Sequence, residues 1–235
     1  MQSVKIGILG LGTVGSGTVS VLKRNSKEIS RRAGRGIEIL RAADKNLDSA
    51  KSCDLNGIDL TDDAFSVVND PEIQIIVELI GGTGIARDLV MQAIENGKHV
   101  VTANKALIAM HGNELFAKAQ EKGVTIAFEA AVAGGIPIIK AIREGLAANR
   151  IEWLAGIING TGNFILTEMH DKGRNFADVL AEAQALGYAE ADPTFDVEGI
   201  DAAHKLTIMA SIAFGIPLQF YKAYTEGISK ISQED

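Results

Sequence analysis

A glycine-rich turn between a β-branched run and a helical pattern is the feature that most constrains how this chain folds. The stretch GILGLGTVGSG begins at Gly7 and places Gly10, Gly12 and Gly15 in the spacing G-x-G-x-x-G. The first glycine permits a tight turn, the second lets the backbone approach a pyrophosphate, and the third allows close helix-to-strand contact. An ordinary turn in a sheet that binds nothing is the alternative. Because a strand, a helix and later parallel strands surround the motif, it favours a dinucleotide cofactor.

Short β-branched runs alternate with helical patterns through the first half of the chain, which is typical of a parallel α/β sheet. We predict a doubly wound sheet over residues 1–130 and a second, α+β domain over residues 131–235. The predicted strands of the sheet are 4–9, 38–43, 73–79, 99–102 and 124–128, and its helices are 12–24, 86–96 and 112–121, with a weak one near 47–55. In the second domain we predict a strand at 152–159 and helices at 161–170, at 177–186 and from about Val197.

The amino-acid composition limits which classes of binding partner are expected. The formal charge is −7 and no basic block is longer than two residues, which argues against binding to nucleic acid or to anionic lipid. The single cysteine, Cys53, cannot form an internal disulfide, and no apolar run approaches the ~18 residues that span a bilayer. The start of the chain lacks the features of a signal peptide. We therefore expect a cytoplasmic protein whose partner is a small molecule.

Ligands of open parallel sheets bind at the carboxyl ends of the strands, and several polar groups are predicted there. Asp44 follows the second strand, where an acid can accept hydrogen bonds from a ribose 2′-hydroxyl or simply form a surface turn. Arg41 or Lys45 would instead hold a 2′-phosphate, so both NAD and NADP stay open. Gly81 and Gly82 follow the third strand and either approach a nicotinamide or form a plain turn.

Two further features lie at the same predicted edge. Lys105 follows the fourth strand, either as a functional group or as a surface lysine near a helix start. Glu129, Gly134 and Gly135 come before a helix whose first turn contains Pro137, and their oxygens suit an alkali or alkaline-earth cation. A plain loop leading into a helix is the alternative. The four histidines are scattered and give no transition-metal motif.

A lysine within an apolar helix is the least expected feature of the second half. In EADPTFDVEGIDAAHK (190–205), helical spacing puts Asp201 and Lys205 on one stripe with Ile208 and Ile212. Burying an ammonium is costly unless it is paired, and Asp201 is the available partner. A surface pair at i,i+4 is the alternative. We prefer a functional site because a surface pair does not need an isoleucine stripe.

A lysine in such a place has a use in hydride chemistry. A carbonyl that receives hydride from a dinucleotide becomes an alkoxide, which needs a proton or a positive charge nearby. Lys205 and Lys105 can meet that need. The carboxylates of Glu190 and Asp196 would then bind a cationic substrate group such as an α-amine, or would form a solvated acidic loop.

Seven motifs together resemble the homoserine dehydrogenase family over essentially the whole chain. In order they are GILGLGTVG, ELIGG, VVTANK, EAAVAGGIPII, NGTGNFILTEM, LGYAEADPTFDVEGIDAAHK and ASIAFG. The resemblance implies a Rossmann-type domain followed by a domain for substrate binding and dimerisation. It also implies NAD(P)-dependent interconversion of L-homoserine and L-aspartate 4-semialdehyde, a CH-OH oxidoreductase reaction in threonine, methionine and isoleucine biosynthesis.

The resemblance also implies roles at matching positions. Lys205 would donate and accept the proton beside Asp201, and Lys105 would contact both cofactor and substrate. Substrate contacts would come from Glu190, Asp196 and Thr161, and cofactor contacts from Gly10, Gly12, Thr13, Val14, Gly15, Asp44, Gly81, Gly82, Lys105 and Gly187. A Na⁺ or K⁺ site would use Glu129, Val132, Gly134 and Ile136. Gly162 departs from the family, which usually has threonine there.

Family members continue well past residue 235, so the chain resembles a truncated form of the monofunctional type. A homodimer is expected if the dimerisation surface is retained. Two other hypotheses stay open: a dehydrogenase for another amino-acid-derived aldehyde or alcohol, and a non-catalytic nucleotide-binding fragment or sensor.

Overall fold

The first unit is built around β1 (Val4–Leu9), a strand whose last four residues are buried. It pairs in parallel with β2 (Ile37–Ala43) on one side and with β4 (Ile75–Glu78) on the other. The other strands are β3 (Asp59–Thr61), β5 (His99–Thr102) and β6 (Ile126–Ala127). The sheet order is β3-β2-β1-β4-β5-β6, so the chain builds one half outward from β1 and then the other. This confirms the predicted doubly wound α/β architecture.

The computed structural model describes residues 2–47, 53–232 and 234–235. The chain divides into two compact units, Met1–Pro137 and Ile138–Asp235. Most of the weak helix predicted near 47–55 lies outside the described residues. None of the helices in the described part of the chain combines the length and apolar character that crossing a bilayer requires.

Helices of the first unit connect the strands. They are α1 (Thr13–Arg24), α2 (Ser26–Ala33), α3 (Ala64–Val68), α4 (Gly84–Glu95) and α5 (Lys105–Lys122). The prediction that a helix begins near residue 112 was wrong, because α5 already starts at Lys105. Asn104 caps it there, with its side-chain oxygen accepting a hydrogen bond of 3.0 Å from the amide of Leu107. Gly123, at a φ of 68°, ends the helix.

The described part of the second unit is helical. It contains α6 (Ile138–Lys140), which runs into a π-helical turn (Ala141–Gly145), then α7 (Gly160–Lys172), α8 (Phe176–Ala185), α9 (Thr194–Val197) and α10 (Ile200–Phe214), with a 3₁₀ turn at Phe220–Lys222. A core of Ile165, Met169, Val179 and Ala183 joins α7 to α8. The helix predicted from about Val197 begins later, because Gly199 at a φ of 75° separates α9 from α10.

The strand predicted at 152–159 was wrong. Residues 151–159 have no assigned secondary structure, and Trp153 and Ile157 are 76% and 82% exposed. A strand needs a neighbour to satisfy its backbone groups, and none of the described residues pairs with this stretch. The β part of the predicted α+β domain is therefore missing from the described residues of this unit.

The glycine turn gives a stability prediction. A Cβ on Gly15 would lie 2.0 Å from the Gly10 carbonyl oxygen, whereas one on Gly17 in the same helix would meet no atom within 4 Å. We expect Gly15→Ala to lower the free energy of unfolding by roughly 2 to 4 kcal/mol, because the helix must move away from the turn. Gly17→Ala is the control and should raise it by up to about 1 kcal/mol. Urea unfolding measures both, and equal effects would contradict the close-approach argument.

The turn between α7 and α8 gives a pH prediction. Lys172 donates hydrogen bonds of 2.8 and 2.9 Å to Glu168, Arg174 donates one of 3.1 Å, and together they lower the pKa of that carboxyl, with Lys172 as the largest cause. The stabilisation is therefore present above the unfolded pKa of about 4.3 and is lost as the pH falls through the folded value.

We expect the stability difference between the wild type and Glu168→Gln to shrink between about pH 6 and about pH 3, followed by thermal unfolding. The exposed Glu152→Gln in the same unit is the control and should show no comparable trend. A difference that stays constant with pH would show that the ion pairs do not stabilise the turn.

Candidate active site

The glycine turn lies at the carboxyl edge of the sheet. Gly10 adopts a φ of 92° and donates its amide to the Ala43 carbonyl at 2.8 Å. A Cβ there would lie 2.7 Å from the Leu79 carbonyl oxygen, so the backbone requires glycine. Gly12 behaves differently, because a Cβ on it would meet nothing within 4 Å. The space beside Gly12 is where a ligand phosphate can approach the backbone.

The start of α1 faces that space without a side-chain cap. Gly12 is the N-cap residue and, as a glycine, has no side-chain oxygen to accept a hydrogen bond from the amides of the first turn. Thr13 and Val14, the first two helical residues, are exposed, whereas Gly15 is buried. The unpaired amides and the helix dipole make this end suited to an anion.

Asp44 fastens the glycine turn to the end of β2. One carboxylate oxygen accepts the Leu11 amide at 2.6 Å, and the other accepts the Asn46 amide at 2.8 Å. Asp44 therefore forms the surface turn that was one of its two predicted roles. It also contacts the glycine turn. Asp44 lines a cleft of about 480 Å³ together with Gly10, Gly12, Lys45, Asp62, Asp63, Phe65, Ile80 and Ile85. A carboxylate has about four acceptor positions, so Asp44 can also accept hydrogen bonds from a ligand.

A buried carboxylate that the sequence analysis did not single out links two strand ends. Glu78 is fully buried at the end of β4 and accepts hydrogen bonds from the amides of Ile80 (2.8 Å) and Gly81 (3.1 Å). Its other oxygen accepts the Thr102 hydroxyl at 2.5 Å, at the end of β5. The turn after β4 is thereby fixed in place. The sequence signal for this buried carboxylate was a charged residue near the end of the apolar run IIVEL.

The same network reaches the helix that begins with Lys105. Thr102 accepts the amide of Asn104 at 2.9 Å, and the Asn104 side chain donates to the Gly82 carbonyl at 2.6 Å. Gly81 and Gly82 both have positive φ angles, of 81° and 70°. The glycine pair and the start of α5, where the half-buried Lys105 lies, are thus linked by one set of hydrogen bonds.

The loop after β6 contains the positions expected to hold a cation. It begins with a 3₁₀ turn at Glu129–Ala131 and closes with a hydrogen bond of 2.8 Å from the Ile136 amide to the Ala133 carbonyl. Ala133 has a φ of 50°, which is uncommon for a residue with a side chain. The backbone of this loop is therefore tightly turned. Val132 is buried in it and Ile136 is 61% exposed.

In the second unit, Lys205 is part of a partly buried polar cluster. Its ammonium donates to Asp201 at 2.6 Å and to the Ile158 carbonyl at 2.8 Å. The side chains of Lys205 and Asp201 are 19% and 7% exposed. The surface ion pair Lys172–Glu168 has the same spacing, but its lysine is 62% exposed. Lys205 is therefore held in position and not merely solvated.

Asn159 connects this pair to a second carboxylate, and sequence reasoning missed it. Its side-chain nitrogen donates to Asp196 at 2.7 Å and to Asp201 at 2.9 Å. Its oxygen accepts the Gly162 amide at 2.6 Å and so caps α7. Three predicted site residues, Asp196, Asp201 and Lys205, thus form one hydrogen-bonded group. An asparagine directly before the glycines of NGTG was the signal, since asparagine is a preferred N-cap residue.

The remaining predicted residues of this unit lie around the start of α7 and the end of α8. The Thr161 hydroxyl donates to the Tyr188 carbonyl at 2.7 Å. Gly187, with a φ of 76°, turns the chain just before that carbonyl. Glu190 lies on the exposed stretch that follows, and its backbone carbonyl accepts a hydrogen bond of 3.0 Å from Gln184.

Two family models match the chain. One, described as homoserine dehydrogenase, NAD binding domain, matches residues 10–129, and the other, described as homoserine dehydrogenase, matches residues 137–235. The chain belongs to the homoserine dehydrogenase family. The resemblance seen in the sequence motifs is thereby confirmed.

Individual members of the homoserine dehydrogenase family agree with this assignment. The homoserine dehydrogenase of Pseudomonas aeruginosa is 72% identical over the whole chain, which covers 54% of that protein. A crystal structure of the Thiobacillus denitrificans homoserine dehydrogenase superposes with a TM-score of 0.96 at 69% identity, with 100% of this chain and 55% of that one covered. The chain spans about half the length of the curated relatives it matches.

A more distant structure extends the comparison. A hyperthermophilic archaeal homoserine dehydrogenase in complex with NADPH has a TM-score of 0.83 at 27% identity. All of this chain and 76% of that one are covered.

The role of Asn159 can be tested by changing its charge and keeping its cap. Asn159→Asp retains an oxygen for the Gly162 amide but places a third carboxylate beside Asp196 and Asp201. We expect a loss of roughly 2 to 4 kcal/mol in the free energy of unfolding at about pH 8, from lost donors and like-charge repulsion. The loss should be smaller at about pH 5, because the crowded folded state takes up protons more readily than the unfolded chain.

Asn159→Ser is the matched control, since it keeps a capping oxygen without adding charge. Its loss in chemical unfolding should not depend on pH in this way. Wild-type stability of Asn159→Asp at about pH 8 would contradict the proposed network.

Proposed function

We propose that this chain carries the cofactor-binding and proton-transfer groups of a homoserine dehydrogenase, an NAD(P)-dependent oxidoreductase. The reaction is the interconversion of L-homoserine and L-aspartate 4-semialdehyde. The observation that carries the proposal is the partly buried Lys205 ammonium, paired with Asp201 at 2.6 Å and held by the Ile158 carbonyl. Family membership supports it and does not favour the two alternative hypotheses.

The first unit, with residues 1–130 as the proposed domain, fits a dinucleotide. The open space at Gly12, the uncapped start of α1 and the Asp44 carboxylate offer a phosphate site and a ribose acceptor at one strand edge. A nicotinamide dinucleotide, when bound, supplies or takes up the hydride. The relative in complex with NADPH supports this class of cofactor.

Lys205 has the proton role in this proposal. When hydride reaches the aldehyde carbon, the oxygen gains electron density and takes a proton from the Lys205 ammonium. In the direction of oxidation, the neutral amine takes the hydroxyl proton as the hydride leaves. Asp201 stabilises the charged form of the lysine and orients it, and Asn159 orients Asp201.

Substrate binding is assigned to residues 131–235. We propose that Asp196 and Glu190 bind the α-amine, because carboxylates accept charge-assisted hydrogen bonds from an ammonium. Thr161 contributes on the substrate side, and Gly187 presents a backbone group to the nicotinamide. Lys105 is proposed to contact both ligands.

Three further parts of the proposal follow from family membership and composition. A monovalent cation would be held by Glu129, Val132, Gly134 and Ile136, whose backbone and carboxylate oxygens suit a hard ion in the curled loop. A homodimer and a cytoplasmic location complete the proposal, and the single Cys53 is consistent with a reducing compartment.

The lysine role is tested by following nicotinamide absorbance with homoserine and either cofactor. We expect Lys205→Met to lower kcat roughly 10²- to 10⁴-fold while cofactor binding is retained, because the proton donor is lost. Lys172→Met is the matched control: it removes a lysine from an i,i+4 pair in the same unit and should leave kcat unchanged.

Two results would count against the proposal. Unchanged turnover in Lys205→Met would eliminate the lysine role. Binding of the cofactor by the wild type with no turnover of homoserine would instead favour a nucleotide-binding protein without catalysis.

A further inference from the structure

We infer that the cofactor cleft selects NAD(H) over NADP(H), and that Asp62 and Asp63 determine this together with Asp44. The inference rests on the proposed function of the cleft as a nicotinamide dinucleotide site. It resolves a question that the sequence left open, since Arg41 and Lys45 pointed to a 2′-phosphate and Asp44 to a free hydroxyl.

Asp44 and Asp62 leave the sheet side by side. Ala43 and Thr61 are register partners at the ends of the parallel strands β2 and β3. The Asp44 amide donates to the Thr61 carbonyl at 3.1 Å, which fixes the two strand ends together. Neighbouring strands lie about 4.8 Å apart, so the residues that follow them enter the same part of the cleft.

The turn after β3 contributes two carboxylates, Asp62 and Asp63, to this wall. Asp63 uses one oxygen to cap α3, accepting the amides of Phe65 at 3.0 Å and Ser66 at 3.2 Å. Asp62, next to it, is exposed. Both residues line the cleft with Asp44, on the side where β2 and β3 end.

Arg41, one of the two residues expected to hold a 2′-phosphate, is engaged elsewhere. Its guanidinium donates to Asp59 at 2.7 Å and to the Ser66 carbonyl at 3.1 Å, and it lies 3.8 Å from Asp70. The side chain is 21% exposed and does not line the cleft. Moving it to a ligand would leave the partly buried Asp70, at 18% exposure, with one fewer counter-charge.

Lys45 is the cation among the described residues that line the cleft. Among these described residues one ammonium stands against three carboxylates, so the described part of the wall carries a net negative charge. A 2′-phosphate carries close to two negative charges and accepts hydrogen bonds without donating at neutral pH, so it meets like charges. A 2′-hydroxyl donates a hydrogen bond, and the carboxylates of this wall are acceptors.

The test compares direct binding of NADH and NADPH by fluorescence titration of the wild-type chain. We expect NADH to bind at least about tenfold more tightly. Asp62→Asn/Asp63→Asn removes two charges, and asparagine retains the α3 cap. It should reduce the NADH preference at least about fivefold, mainly through tighter NADPH binding. Arg41→Met should change the ratio less than about twofold.

Glu38→Gln is the matched control, since it removes one exposed charge near the other end of β2. It should leave the ratio unchanged. Equal or tighter binding of NADPH by the wild type would overturn the inference, as would a selective loss of NADPH binding in Arg41→Met. Binding needs no turnover, so these outcomes are separate from a failure of the proposed reaction, which would appear as cofactor binding without homoserine oxidation.

Discussion

The first unit depends on how closely the Gly10 backbone approaches the Leu79 carbonyl on one side and Gly15 on the other. A side chain at this position would collide with the Leu79 carbonyl, and one at Gly15 would collide with Gly10 itself. Because Gly10 and Gly15 have no Cβ atoms, α1 can begin immediately after the tight turn that follows β1. The end of β2 then comes within hydrogen-bonding distance of the loop through Asp44. The same glycines therefore determine both the close backbone packing at this turn and the shape of the cleft beside it.

Charge burial organises the second unit in a comparable way. A partly buried ammonium and two partly buried carboxylates would be unfavourable separately, since each loses hydration on folding. Asn159 makes the arrangement tolerable by donating to both acids, while Lys205 neutralises one of them. The helix α10 carries two members of this group on successive turns, and its apolar residues, such as Ile208, fix the helix in the core.

Much of the first unit was predictable from sequence, because strands buried on both faces give continuous β-branched runs bounded by turns. The limits of β1 and β5 matched the prediction, whereas α2 was not predicted, since its eight residues bury no side chain and give no apolar stripe. β3 is only three residues long and gave no periodic signal. In the second unit, the apolar stretch at 152–159 looked like a strand, but a strand depends on a partner that local sequence does not reveal.

The residues of the candidate site also differ in how well the sequence predicts them. Glycines and lysines with motif spacing were visible in the sequence, whereas Glu78 and Asn159 act through partners distant in the chain. Glu78 bonds to Thr102 and Asn159 bonds to Asp201, across separations of 24 and 42 residues. Pairing over such distances follows from topology and cannot be inferred from local pattern. Polar residues that connect others are thus the kind that sequence reasoning misses.

The side-chain amide of Asn159 makes two kinds of hydrogen bond and so couples two processes that are usually independent. Its oxygen caps the start of α7, and its nitrogen donates to Asp196 and Asp201. By thermodynamic linkage, any change that breaks the bonds to the acids also weakens the first turn of α7, and fraying of that turn in return loosens the acids. The start of this helix and the order of the carboxylate cluster are therefore reciprocal parts of a single equilibrium.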